Sequence, residues 1–349
     1  MAHLKSKINI ALTWGSTWWH VFPLLSLYNY LIKEEIYDFI WVWEENSLEH
    51  EICQSHNIKF LDIPAWKIRR YYDKRNFYEP LKNLTGIFFW IYYLLRYKID
   101  IVFSKWWFVA IPLCIAAFIL RKKIYIHESD FVSWLANKII GLVATKVFYT
   151  FPNKKINNKK YYLSWQILNP ELLDKIKDLI VKNNQTLSVL VIAWSQWSTK
   201  IFESLLKILP DLQDIDFQVV LWDKNLFFRE HFQKFPNVVI HDFLTQKRLW
   251  LILKNTDIAI CRWWATSLWE LNVFGIHSII IPLTWSAWNH QYINAEYFKE
   301  NFQSDVLNEN NNLELELYKK LMKYKDLRKS WLNLSWFYKS LEIVEKEMR

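Results

Sequence analysis

Glycine is what this chain lacks most. Only 4 glycines stand in 349 residues, whereas an average chain of that length carries about 7% glycine, or roughly 24. Glycine takes positive φ without a steric penalty and lets backbone approach a ligand closely, so the literal letters leave few places for tight loops. Cysteine is scarce as well. The 3 cysteines, Cys53, Cys114 and Cys261, lie far apart with no C-x-x-C pair. That argues against a disulfide framework and a zinc site, and it fits a reducing compartment. Long apolar runs are missing too. The longest, residues 108–120, has 13 residues and falls short of the roughly 20 needed to cross a bilayer. The apolar run after Lys5 and Lys7 breaks at Thr13 with no small-residue cleavage site, so no signal peptide is expected. No acidic D-x-D pair stands where a metal would need it, and neither a metal nor a cofactor is expected.

What is abundant stands where glycine belongs. Tryptophan occurs 22 times, and the two residue types together make an ordinary glycine share of about 7%. The tryptophans come as doublets after apolar runs (Trp18-Trp19, Trp106-Trp107, Trp263-Trp264), and Trp194 and Trp197 flank Ser195-Gln196. Core tryptophans would recur at helix or strand periods; doublets at strand ends follow neither. The pattern implies that the source reads the UGA codon as glycine and that these letters come from a table calling it tryptophan. The competing reading is a genuine Trp-rich chain whose aromatics pack a core or stack on bases.

With glycine in place of tryptophan, residues 13–23 read T-G-G-S-T-G-G-H-V-F-P. Residues 8–12 before them read as a buried strand and residues 24–31 after them as a helix. Strand, tight turn and helix start together present backbone N–H groups to a phosphate. The same logic returns at residues 104–110, S-K-G-G-F-V-A, and at residues 194–198, G-S-Q-G-S, each after an apolar run.

In this form the chain resembles the MurG family of peptidoglycan GlcNAc transferases, whose first loop reads G-G-T-G-G-H-x-F-P. The second turn resembles the family's G-x-G-G-Y/F-V-S, and residues 127–138 resemble H-E-Q-N-x-x-x-G-L-A-N-[KR], with Ser129 and Asp130 replacing Gln and Asn. Residues 164–169 stand where the family reads T-G-N-P-V/I-R, but Asn169 replaces the Arg. Residues 194–198 match G-G-S-Q-G-A in part. Residues 261–270 resemble [SC]-R-x-G-A-x-[ST]-x-x-E, and residues 282–295 resemble P-L-x-x-A-x-x-x-H-Q-x-x-N-A. The resemblance runs over residues 8–295 with its motifs in family order, which no single glycine loop could supply.

The resemblance implies an α/β protein of two Rossmann-like doubly wound domains facing a cleft, the GT-B architecture. Residues 1–163 would form the acceptor and membrane-side domain and residues 164–325 the UDP-GlcNAc domain. Residues 326–349 would form a helix packing back on the first. It implies inverting transfer of GlcNAc from UDP-GlcNAc to the muramyl 4-hydroxyl of an undecaprenyl-diphosphate-linked precursor. The donor would meet Trp194, Ser195, Gln196, Trp197, Arg262, Trp264, Glu270, Gln291 and Asn294. Glu270 suits the ribose, since a carboxylate accepts from two adjacent hydroxyls, and Gln291 and Asn294, three apart on one helix face, suit the sugar. The acceptor diphosphate would meet Thr17, Trp18, Trp19, Trp106, Trp107, Glu128 and Asp130. His20 is the candidate base, because a helix N-terminus disfavours imidazolium; otherwise it only fixes its loop. Alternatives are another GT-B lipid or polysaccharide glycosyltransferase, a UDP-GlcNAc epimerase, or a basic aromatic nucleic-acid binder.

The formal net charge of +9 favours anionic partners. Residues 66–98 begin basic (Lys67, Arg69, Arg70, Lys74, Arg75) and turn aromatic over residues 87–95. They read equally as a loop and core helix or as a surface for anionic lipid. A peripheral place on the cytoplasmic face of the cell membrane, with no nucleic acid bound, is expected.

Overall fold

The computed structural model describes residues 7–13, 18–43, 48–62, 79–105, 110–133, 135–152, 158–169, 174, 186–193, 198–242, 244–262, 265–283, 290–309, 312–327 and 335–349. At 18–20, 48–49, 79–85, 135–136, 223, 290 and 335–338 it describes the backbone alone. The chain divides into two compact units, Met1–Pro170 with Ser335–Arg349, and Glu171–Leu334.

The first unit holds a seven-stranded parallel sheet in the order β3-β2-β1-β4-β5-β6-β7. Its strands are β1 (Ile8–Thr13), β2 (Tyr37–Trp43), β3 (Lys59–Asp62), β4 (Ile101–Ser104), β5 (Lys123–Glu128), β6 (Lys146–Tyr149) and β7 (Tyr161–Leu163). Between them run α1 (Trp18–Leu31), α2 (Leu48–Ser55), α3 (Glu79–Arg96), α4 (Ala110–Ile119) and α5 (Leu135–Val143). Both faces of such a sheet are covered, so its strands read as near-continuous apolar runs. Successive side chains feed opposite cores. Leu12, Trp41, Phe103, Tyr125 and Phe148 pack with α1 residues Leu24 and Leu27 and with Leu341, Val344 and Met348 of the C-terminal helix Ser335–Met348. Ala11, Val102, Ile124, Ile126 and Val147 pack with Trp90 and Leu94 of α3, Leu113 of α4 and Ile140 of α5.

The second unit repeats the plan with six parallel strands in the order β10-β9-β8-β11-β12-β13. These are β8 (Leu187–Ile192), β9 (Ile215–Val220), β10 (Val238–His241), β11 (Ile258–Cys261), β12 (His277–Ile280) and β13 (Ser304–Val306). Its longer helices are α6 (Thr199–Ile208), α7 (Gln246–Lys254), α8 (Ala265–Val273), α9 (His290–Asn301) and α10 (Leu313–Lys323). Val189, Val191, Phe217, Ile258 and Ile279 pack with Phe202 and Leu205 of α6 and with Leu313, Leu317 and Leu321 of α10. Each unit is a doubly wound α/β domain. In each sheet the strand order reverses beside the first strand, and that reversal is where such sheets bind ligands.

Candidate active site

In the second unit the order reverses between β8 and β11. Both strands run straight into a motif. β8 leads through Ala193 into residues 194–197, and Ser198 on the far side returns a hydrogen bond from its Oγ to Ala193 O at 2.6 Å. The loop is thus closed at its base just before α6 begins. Trp194, Ser195, Gln196 and Trp197 themselves lie outside the described residues, as does Trp264. β11 leads into Arg262, which is 3% exposed. Its guanidinium forks onto Glu309, with Nη1 to Oε2 at 3.0 Å and Nη2 to Oε1 at 2.7 Å, and Nη1 also donates to Ile281 O at 3.1 Å. A bidentate fork of this kind fixes orientation as well as supplying energy. Arg262 therefore braces β11 against the segments after β12 and β13. Glu309 belongs to no motif, and only the fold reveals it.

Every residue of α8 is buried, Glu270 among them. A carboxylate inside a protein needs hydrogen-bond donors; Gln246 Nε2 lies 3.5 Å from Glu270 Oε1. Gln291 Oε1 accepts from Leu283 N at 2.9 Å, which staples the first turn of α9 to the chain leaving β12. Asn294, one turn on, is fully buried. The two amides do share α9, but Gln291 spends its carbonyl on its own loop.

In the first unit the order reverses between β1 and β4. Thr13 and Ser104 end these strands as direct ladder partners, and Lys105 N donates to Thr13 O at 3.3 Å. The segments 14–17 and 106–109 leave from this point. Thr17, Trp106 and Trp107 are outside the described residues, and Trp18, Trp19 and His20 form the first turn of α1, described by backbone alone. β5 ends in His127 and Glu128, both buried. Glu128 Oε2 accepts from Asn137 Nδ2 at 2.9 Å, and Oε1 accepts from Asp130 N at 3.2 Å, so Glu128 and Asp130 are brought together.

His127 Nε2 lies 2.9 Å from Trp165 O. A carbonyl only accepts, which puts the ring proton on Nε2. Burial and then the Lys105 charge push His127 well below its ordinary range, against the opposing pull of that carbonyl. The imidazole is neutral. Trp165 holds φ 62°, in the left-handed region that favours glycine. The fold adds His127, Asn137 and Lys105 to this neighbourhood. The first two sit inside the motif at residues 127–138, whereas Lys105 carried no signal beyond its place before a Trp doublet.

Residues 10–149 match the glycosyltransferase family 28 N-terminal domain, and residues 188–332 match the glycosyltransferase family 28 C-terminal domain. A UDP-N-acetylglucosamine–N-acetylmuramyl-(pentapeptide) pyrophosphoryl-undecaprenol N-acetylglucosamine transferase of Clostridium botulinum is 31% identical over 339 residues, which is 94% of this chain and 92% of that one. Among solved structures, MurG of Acinetobacter baumannii matches with a TM-score of 0.72 at 19% identity, covering 96% of this chain and 93% of that one. The UDP-GlcNAc 2-epimerase of Neisseria meningitidis, bound to UDP-GlcNAc, matches with a TM-score of 0.67 at 11% identity over 98% and 99% of the two chains. At those identities both structures bear on the fold alone.

Proposed function

This chain belongs to glycosyltransferase family 28, and from that we infer that it moves GlcNAc from UDP-GlcNAc to the muramyl sugar of an undecaprenyl-diphosphate-linked peptide precursor. The observation that carries the reading is topological: the glycine-type loops leave the strands on either side of both reversal points. In the donor unit, N–H groups of residues 194–197 at the start of α6 hold the UDP diphosphate. Glu270 accepts from the ribose hydroxyls, and Asn294 and Gln291 address the sugar. Arg262, fixed by Glu309, holds the end of β11, after which residues 263–264 follow in the chain. In the acceptor unit, Thr17, Trp18, Trp19, Trp106 and Trp107 cradle the lipid diphosphate, with Glu128 and Asp130 beside them. His20 takes the proton of the attacking hydroxyl in one inverting displacement.

The test is transfer of labelled GlcNAc to a lipid-linked muramyl pentapeptide. Label in the lipid phase is expected. Label appearing only as the C2-epimerised nucleotide sugar would replace this reading with that of an epimerase. Glu270→Ala should raise the donor KM about 10-fold or more, the scale of a lost charged hydrogen bond, with a smaller change in kcat. An unchanged donor KM would take Glu270 off the ribose.

The glycine reading is part of this proposal, and Trp165 supports it. Its φ of 62° costs a bulky residue of order 1–3 kcal/mol and costs glycine nothing. Trp41 and Trp269 are fully buried, so the letter at those two decides core volume rather than ligand access.

A membrane surface supports the lipid acceptor. No helix among the described residues is long and apolar enough to cross a membrane. α3, α4 and α5 pack side by side, and α3 serves both readings of its sequence. Trp90 and Leu94 enter the core, while Phe88, Tyr92 and Leu95 stay exposed. Phe118, Ile119, Ile139 and Leu142 on the neighbouring helices are exposed too, as are Arg96, Arg121 and Lys138. Apolar side chains among basic ones suit an anionic headgroup layer. The basic residues Lys67 to Arg75 lie outside the described residues. Co-sedimentation with anionic vesicles is expected at low salt and should weaken as salt screens the attraction. No sedimentation at low salt would make this an ordinary solvent face.

A further inference from the structure

Lys105 is the one lysine among the described residues that is fully buried. Lysine is rarely buried to this degree, because an ammonium loses its hydration there. Lys105 is the first residue after β4, and its amide is tied to Thr13 O, the end of β1. Continuing the register of Ser104 with Ile126 sets it opposite His127, and its charge is felt there. Of the polar residues closing this edge (Thr13, Ser104, Lys105, His127, Glu128 and Asp130), Lys105 alone brings a positive charge. Asn169 is neutral where the resembling motif carries Arg. A diphosphate bound at this edge would meet the carboxylates of Glu128 and Asp130, and Lys105 is the charge of opposite sign at the same edge.

We propose that Lys105 is the fixed positive charge that sets affinity for the acceptor diphosphate, a positioning residue acting from the end of β4. The inference rests on the acceptor assignment above. The charge need not touch the phosphates, since away from bulk water its field is screened far less than at the surface.

The experiment compares the glycine-restored parent with Lys105→Met and Lys105→Arg, using the lipid diphosphate acceptor and a muramyl acceptor lacking phosphate. Lys105→Met should raise KM for the diphosphate acceptor about 10-fold, equivalent to roughly 1.4 kcal/mol. It should leave the phosphate-free acceptor and UDP-GlcNAc binding within about 2-fold, less than 0.5 kcal/mol. Lys105→Arg should recover most of the loss. An equal rise on both acceptors, or none on either, overturns the proposal. Calorimetry with inorganic pyrophosphate, the donor site filled with UDP, reads the same charge without turnover. Weaker pyrophosphate binding by Lys105→Met in a parent that glycosylates no lipid would keep Lys105 as an anion-holding residue and discard the acceptor reading. Unchanged pyrophosphate binding in an active parent would discard Lys105 alone.

Discussion

Restoring glycine at Trp14, Trp18, Trp19, Trp106, Trp107, Trp194, Trp197 and Trp264 is expected to turn a chain that does not bind UDP-GlcNAc into one that does. Among the described residues a tryptophan at positive φ stands at Trp165, where a bulky residue costs of order 1–3 kcal/mol against a native stability of about 5–15 kcal/mol, whereas Trp18 and Trp19 lie in the first turn of α1. An indole also fills the volume that a phosphate must enter, and it keeps ligand oxygen from the backbone N–H groups that would bind it. Titration calorimetry of both versions with UDP-GlcNAc measures the difference. Peptide mass spectrometry of native protein should find glycine at Trp18, Trp19, Trp194, Trp197 and Trp264. Tight binding by the all-tryptophan protein would mean the tryptophans are genuine, and the chemistry assigned to the loops would lose its footing.

The strands were legible for a reason specific to parallel sheets. A strand buried on both faces is apolar throughout, and runs such as residues 187–193 stand out by length alone. β7 and β13 did not, because three residues at a sheet edge, Tyr161–Leu163 and Ser304–Val306, are too few to show a period. The motifs placed the loops in the chain but not in the sheet. That both pairs leave the reversal points depends on the strand order, which pairing across the sheet decides and adjacency does not. Charge was the least legible property. Arg262 reads as a donor-site residue, and nothing in the sequence shows the fork it makes to Glu309, 47 positions away. Lys105 stands before a Trp doublet with nothing in the sequence to mark that it is fully buried. Such partners are set by tertiary packing, and a linear pattern holds no trace of them.

His20→Ala in the glycine-restored protein should lower kcat by about 10²–10⁴, the usual cost of losing a general base, while UDP-GlcNAc binding stays nearly intact. Inverting transfer needs one group to take the proton of the attacking hydroxyl, and two histidines lie in acceptor-side motifs. His127 is already committed: it is fully buried and its Nε2 proton goes to Trp165 O. His20 stands in the first turn of α1, directly after the loop assigned to the diphosphate. The free N–H groups of a helix start disfavour an imidazolium placed beside them, which is the reason His20 is proposed as the base. The acid limb of the parent's pH–rate profile should therefore disappear in the variant, whereas a histidine that merely fixed its loop would leave the limb in place and raise the acceptor KM instead. Near-normal turnover by His20→Ala would remove His20 from the chemistry, and the base would have to be sought among the other residues at the ends of β1, β4 and β5.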